Sequence, residues 1–429
     1  MSSTRTYFGT FTILILSFVG LYQQNKTPPV PKNGQYSRDT KHIMTEEDVW
    51  ITVDSSIAKE MFSSSSRLLV PNGRTVLQKG NASLIRVNTD MLPSISQFVH
   101  QNIAHCGGMV EHDNYGDASR YLSRRILGDR SFFRAPSIDN WSVAYRLLRR
   151  VDYNKMLRFN KRLLTNFKTR YFSNLGGIQS AQWIKSEWEQ IVSSRDDIHV
   201  RYYEHDGLSS CTLKKCQNSI IVTIEGSDKG KDVVIIGAHL DSINNHGGNN
   251  IAPGADDNGS GLSVLTETLR VIVNAGYRPR KTIEIIGFAA EEVDGLQGSK
   301  DIASHYKTCN KNVISMLNFD MVGYKGKGKD IYISTDFSNN ALSRFLANLL
   351  DIYLPYLSHG FMRCKYECSD HAMFYMNDFP ASMGTEMKSN TDPDTFNPNY
   401  HSENDTYVDG PHMSNFARLA VIYVAELAK

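Results

Sequence analysis

The residues able to do chemistry are His239, Asp241, Asp256, Asp257, Glu291, Glu292 and Asp320, each lying just past a short apolar run or in the loop that leaves one. An imidazole and several carboxylates brought to one place form a hard-to-borderline donor set that suits a divalent cation, zinc first. Taken singly, each has a plainer reading. A His after a strand is ordinarily a satisfied loop residue, and Asp before Asn-Gly is ordinarily turn chemistry. Convergence separates the two readings, because acids or His at the C-terminal ends of three strands in one sheet meet at the edge where open α/β sheets bind ligands.

The elements that must position them are legible as periodic runs. Val233–Ile236 is β-branched and apolar on both faces, as a buried parallel strand requires, and His239 and Asp241 then point the same way at i and i+2. Thr282–Phe288 and Val313–Phe319 read as two further buried strands, ending before Glu291-Glu292 and Asp320, and Ser219–Ile224 as a fourth. Ser260–Ala275 is a helix with Leu262, Leu265, Leu269 and Ile272 on one face, stopped by Gly276. Ala181–Ile191 is amphipathic, with Trp183 and Trp188 as core residues, and Pro411–Ala428 forms a last core-facing helix.

The chain of 429 residues is 41% hydrophobic and 21% charged with a formal net charge of +2, enough for a large core and without the electrostatic footprint of a nucleic-acid binder. Arg5 followed by the apolar run Phe8–Leu21 reads as a signal segment, so residues 1–24 are a signal peptide or, because Phe18 spoils the cleavage pattern ending at Gly20, a signal anchor. Membrane contact is expected only in the anchored case. A linker (25–45), a small α/β-plait domain (46–115), an irregular basic linker or processing region with dibasic pairs Arg124-Arg125 and Arg149-Arg150 (116–150) and a main domain (151–429) follow. Six cysteines and sequons at Asn25, Asn81, Asn140, Asn258 and Asn404 agree with the secretory route.

The segments GAHLDS (Gly237–Ser242), APGADDNGSG (Ala252–Gly261), AAEEVDGLQGS (Ala289–Ser299), LNFDMVGY (Leu317–Tyr324), CKYECSDHA (Cys364–Ala372) and NPNYHSENDT (Asn397–Thr406) occur in this order. Together they resemble the secreted dinuclear zinc aminopeptidases of the bacterial and fungal leucyl type, over roughly Val151–Lys429. The small domain resembles the propeptide of some of these enzymes. The resemblance implies an α/β fold with a mixed, mostly parallel central sheet flanked by helices, two zinc ions per chain, peptide substrates with a free N-terminus and preference for a leucine-like first residue; a monomer is the favoured state. Asp257 bridges the metals in this reading, Glu292 and His401 complete one site, and His239 and Asp320 the other, leaving room for a bridging water. Asp241 orients His239 through its other ring nitrogen, whereas Asp256 is a turn residue.

Glu291 is then the general base and afterwards acid, and Tyr366 a hydrogen-bond donor to the oxyanion. Met321, Met383, Phe396 and Tyr400 are the candidates for the pocket of the first side chain. The family pattern also pairs Cys364 with Cys368 around Tyr366, and Cys211 and Cys216 are close enough in sequence for a second small loop; Cys106 and Cys309 are left over. Two departures from the bacterial pattern fall after Glu292, where the loop is longer, and between Met383 and His401, where an insertion alters the region that shapes specificity. Three other readings share the fold: a one-zinc glutaminyl cyclase, a carboxypeptidase with basic residues for a substrate carboxylate, and a receptor-like binding module lacking ligands.

Overall fold

The computed structural model describes residues 48–62, 75–103, 109–112, 114–127 and 131–429, the last stretch without 206–207, 209–210, 212–215, 229–231, 294, 390–391 and 393. The expected signal segment, the linker and Cys106 lie outside the described residues. The described residues all fall in one compact unit, Thr45–Lys429.

The N-terminal part alternates β1 (Asp48–Asp54), α1 (Ser55–Met61), β2 (Thr75–Lys79), β3 (Ala82–Asn88), α2 (Leu92–Ile103) and β4 (Met109–His112). The strands form an antiparallel sheet in the order β2-β3-β1-β4. Period-two alternation decides which face is covered by what. Ile51, Val53, Ile85 and Val87 pack on Ile57 and Met61 of α1 and Ile95 and Val99 of α2. Trp50 and Leu84, on the opposite face, meet Ala118 and Leu122 of a third helix, α3 (Tyr115–Leu127). The 116–150 segment is therefore not irregular as its composition suggests: it holds α3 and α4 (Trp141–Leu148). Ala118 and Leu122 sit at i and i+4, a spacing that gives α3 an apolar stripe despite its arginines. The Arg125 side chain is only 4% exposed.

The main domain runs α5 (Tyr153–Asn166), α6 (Leu175–Val192), β5 (Ile198–Tyr203), β6 (Ser219–Ile224), β7 (Asp232–His239), α7 (Gly259–Asn274), β8 (Thr282–Phe288), α8 (Gln297–Thr308), β9 (Asn312–Phe319), β10 (Ile331–Ser334), α9 (Asn340–Tyr353), β11 (His359–Met362), α10 (His371–Met376), β12 (Ala381–Thr385) and α11 (Gly410–Leu427). Its eight strands order as β11-β10-β12-β9-β7-β8-β6-β5. Strands β12, β9, β7 and β8 are mutually parallel, and β5 and β6 are antiparallel additions at one edge. Val234 and Ile236 of β7 face a core shared with α7 and α11, whereas Val233 and Ile235 face a second core with residues of α8 and α10. Each such aliphatic side chain taken fully out of water stabilises the fold by about 1.5–3 kcal/mol, which is why β7 reads as a continuous apolar run.

The chain leaves β7 through α7 to β8 on one side and returns through α8 to β9 on the other. The carboxyl end of β7 is thus the point where strand order reverses, and a crevice opens there in sheets of this kind.

Candidate metal centre

Register places the site residues. His239 is the last residue of β7 and pairs with Phe288 of β8, so the residues that follow Phe288, including Glu291 and Glu292, emerge beside it. Gly237 pairs with Asn318 of β9, which puts Asp320 on the other flank. Asp257 stands at the start of α7, whose N-cap Asn258 accepts from Gly261 N and donates Nδ2 to Phe319 O, tying the helix start to the end of β9. His401 comes from the loop that precedes α11. Three backbones beside the site, at Ala290, Met321 and His401, have positive φ values of 52°, 47° and 52°. Such conformations cost non-glycine residues about 1–3 kcal/mol each and persist where the surroundings over-determine them.

The sequence-derived ligands come together. His239 Nε2 lies 3.2 Å from Asp257 Oδ1 and 3.2 Å from Asp320 Oδ1, and 4.0 Å from Glu291 Oε2. His401 Nε2 lies 3.0 Å from Asp257 Oδ2 and 2.9 Å from Glu292 Oε2. The two oxygens of Asp257 therefore face different imidazoles. His239, Asp257, Glu291, Glu292, Asp320 and His401 are all buried.

So much acid in so little water moves every titration. Burial works against charge on His239, yet the neighbouring Glu291 and Asp320 carboxylates hold its imidazole well above the ordinary value. His401 is pushed up to about 10, against burial, by Glu292 and Asp257. Glu292 is pushed up to about 7 by burial and the Asp257 charge, and Glu291 is driven well up by burial. Asp257 goes the other way, since both imidazoles donate to it and outweigh its burial. Both carboxylate oxygens of Glu291 are buried with no hydrogen-bond partner among the described residues. A carboxylate left so is costly to the fold, and a cation or a water held by one would satisfy it. The donors fit zinc: imidazole nitrogen and carboxylate oxygen, with ligand atoms of His239, Asp257 and Glu292, and of His239, Glu291 and Asp320, within 4.8 Å of one another.

Supporting contacts fix these side chains. Asp241 Oδ1 and Oδ2 accept from Glu291 N at 3.0 Å and Glu292 N at 3.1 Å, and Oδ1 is 3.5 Å from His239 Nδ1, so this carboxylate ties the segment after β7 to the segment after β8 and lies beside the imidazole. Sequence reasoning missed the equivalents around Asp257 and His401. Asp405 accepts from Asp256 N and Asp257 N. The amide of Asn245 meets His401 Nδ1 at 3.1 Å, and its backbone N donates to His401 O at 3.0 Å. Arg170 is fully buried and donates to Leu240 O, Pro253 O and Gly254 O, joining the end of β7 to the loop that carries Asp257. The one available signal was proximity in the motif blocks, as with Asp405 four residues after His401. Asp256 points away from the cage: its Oδ1 accepts from Gly323 N at 2.8 Å.

Tyr366, Met321, Met383, Phe396 and Tyr400 also come together, in an apolar cluster with Tyr332, Met362, Met387 and the Cys364–Cys368 disulfide. The rings of Phe396 and Tyr400 meet edge to face at 5.4 Å, and Tyr400 lies 4.6 Å from the His401 ring. Met321 follows Asp320 directly, so the cluster adjoins both halves of the cage. Glu386 accepts from Tyr324 N at 2.6 Å and Asn397 N at 3.1 Å and so ties two loops of this region together. The second disulfide, Cys211–Cys216, is formed, and Cys309 is free and exposed. Among the described residues no helix is long and apolar enough to cross a membrane.

Residues 219–424 match the model of peptidase family M28. The chain is 34% identical over 278 residues to a probable leucine aminopeptidase of Trichophyton verrucosum, covering 63% of this chain and 72% of the relative. It is 33% identical over 303 residues to a probable aminopeptidase of Saccharomyces cerevisiae, covering 68% and 77%. The LapA aminopeptidase of Legionella pneumophila has a similar structure, with a TM-score of 0.73 at 25% identity over 89% of this chain and 98% of that one. A buried His/Asp/Glu cage at the switch point of the sheet, in a chain that shares most of its length with such relatives, assigns it to peptidase family M28 as a metalloaminopeptidase.

Proposed function

We propose that this aminopeptidase works with two zinc ions, releases a hydrophobic, leucine-like N-terminal residue from peptides, and acts after secretion. The observation that carries the dinuclear reading is the division of Asp257, with Oδ1 at 3.2 Å from His239 and Oδ2 at 3.0 Å from His401. A carboxylate so placed would offer one oxygen to each of two cations. His239 and Asp320 would hold one ion, and His401 and Glu292 the other. The leucine-like preference is supported by the names of the fungal relatives and by the thioether and aromatic cluster beside the cage. Secretion is supported by the two disulfides.

Bound zinc supplies Lewis acidity, polarising the scissile carbonyl and lowering the pKa of water to about 7. The chain's own residues do the rest. Glu291 takes the proton of the attacking water on a carboxylate oxygen and returns it to the leaving amine; burial, which raises its proton affinity, favours that double role. Asp241, through the amides of Glu291 and Glu292, sets the direction of both carboxylates. The Tyr366 hydroxyl donates to the oxygen of the tetrahedral carbon. Met321, Met383, Phe396 and Tyr400 enclose the first side chain, and the surrounding acids attract the free α-ammonium group.

The test is metal analysis joined to substrate choice. Chelated protein reloaded with zinc is expected to bind two ions per chain and to cleave leucyl amides, with no action on C-terminal residues and no cyclisation of N-terminal glutamine. A stoichiometry of one ion at full activity overturns the dinuclear reading.

A further inference from the structure

The N-terminal part of the chain touches the catalytic loops at two places, through β4 and through α3. Gly295, in the loop that leaves Glu291 and Glu292, has a φ of 89°, and a Cβ there would meet Met109 O at 2.6 Å and Val110 Cα at 2.8 Å. Strand β4 therefore lies directly on that loop. Lys300 donates to Glu111 O at the same contact, and Val110 joins the core cluster of Leu296, Ile302 and Phe374.

The second contact is made by α3. Arg125 Nε lies 3.1 Å from Glu367 Oε1, with the two side chains 4% and 2% exposed. The Tyr121 hydroxyl donates to the same oxygen at 3.0 Å. The Arg125 guanidinium rests over the Phe337 ring at 5.4 Å, and Arg124 donates to Met376 O and pairs with Asp378. Glu367 is the immediate neighbour of Tyr366 inside the short loop closed by Cys364 and Cys368.

We infer that Arg125 is a positioning residue of the aminopeptidase: by holding Glu367 it fixes the Tyr366 phenol at the substrate carbonyl, which makes α3 part of the working enzyme. This rests on the reading of Tyr366 as oxyanion donor. A buried carboxylate with one cationic partner stays buried only while that partner is present; without it the charge turns toward water. A disulfide-closed loop of this length has little slack, so a displaced Glu367 carries Tyr366 with it. The sense is opposite to that of an inhibitory pro-segment, because loss of α3 lowers turnover instead of raising it.

The experiment compares full-length Arg125→Ala, Arg125→Lys, Glu367→Gln, Tyr366→Phe and the double variant Arg125→Ala/Tyr366→Phe for kcat, KM, zinc content and affinity for a phosphonate transition-state analogue. Arg125→Ala is expected to lower kcat about tenfold, less than outright deletion of an oxyanion donor. KM and zinc content stay unchanged, and the analogue binds more weakly by the same factor. Arg125→Lys restores most of the loss, and the double variant matches Tyr366→Phe alone. Should Arg125→Ala not fold, Glu367→Gln, which keeps the size and the contact to Tyr121, is expected to show the same kcat-only loss. Unchanged kcat in Arg125→Ala or Glu367→Gln beside an impaired Tyr366→Phe overturns the inference alone. An unimpaired Tyr366→Phe overturns the oxyanion reading and the inference with it. Higher turnover after verified removal of α3 also overturns it and instates the inhibitory pro-segment.

Discussion

The metal cage and the apolar cluster beside it are built differently. His239, Glu291, Glu292 and Asp320 project from the ends of β7, β8 and β9, and hydrogen-bonded pairing of those strands fixes their relative height. The cluster takes Met383 from β12 but Tyr366, Met387, Phe396 and Tyr400 from the loops before α10 and after β12, tied by a disulfide and by Glu386. Strand register cannot shift by a fraction of a residue, whereas loops re-pack. On the proposed reading, the sheet sets most of the chemistry, with Asp257 and His401 as its loop-borne members, and substrate choice, resting mainly on loops, can drift with little effect on it.

The sharpest way to break this division is Glu291→Gln, which keeps size and hydrogen bonding but cannot take the proton. It is expected to lower kcat by about 10²–10⁴ with zinc content unchanged, read by single-turnover kinetics and metal analysis. Its neighbour Glu292→Gln is expected to lose zinc instead, and excess zinc restores part of the rate. If Glu291→Gln loses its metal, the two roles are exchanged.

Asn245→Ala probes whether loop residues also serve the cage. Removal of the group at His401 Nδ1 is expected to weaken zinc by about 10–100-fold on the His401 side and much less on the other. Equal losses at both sites, measured by competition with a chromophoric chelator, would mean that Asn245 acts on the whole fold.

Met383→Ala is the complementary change in the cluster. The ratio of kcat/KM for leucyl over alanyl substrates is expected to fall by about 10-fold at constant zinc content, the discrimination that one lost apolar contact carries. An unchanged ratio removes Met383 from the pocket.

The smallest effect contrasts the imidazoles. Those of the cage are raised by acids, but burial lowers His112, whose Nε2 lies 2.8 Å from Thr52 Oγ1, to about 3. Because the folded value is depressed, the unfolded chain binds the extra proton between about pH 6.5 and about pH 3, and the stability this group contributes is lost as pH falls through that window. Wild type should lose stability relative to His112→Gln by up to about 1.4 kcal/mol per pH unit below pH 6.5. An unchanged stability difference between the two proteins at pH 7 and pH 5 would show that the folded ring takes up its proton over the same pH range as the unfolded one.

The strand-borne part of the cage was legible because His239, Glu291, Glu292 and Asp320 follow short apolar runs that read as buried strands, whereas Asp257 and His401 lie in loops and were assigned only through the motif blocks. β8, β9, α7 and α11 carry enough periodic residues to be placed within a residue, whereas β7 runs three residues beyond its apolar stretch, to His239. The strands β10 (IYIS), β11 (HGFM) and β12 (ASMGT) are too short and too mixed to stand out from loops, and only their partners in the sheet define them. α3 was hidden by its arginines, whose side chains reach partners on a distant segment that no local pattern announces. Arg170, Asn245 and Asp405 act on backbone or ring atoms brought near by the fold, so their residue types alone gave no sign. The positive φ values at Ala290, Met321 and His401 likewise fall on ordinary residue types, where sequence offers nothing like the warning a glycine gives.

The strand order also sets a timetable for synthesis. β10 and β11 pair with each other, but they reach β9 only through β12, which is made later than either. A chain emerging N-terminus first therefore carries two separate sheet fragments until residues 381–385 appear. His401 emerges later still, after His239, Asp257, Glu292 and Asp320 are already available. On the two-ion reading, the residues proposed for the His239 side are therefore all made before the His401 side can close.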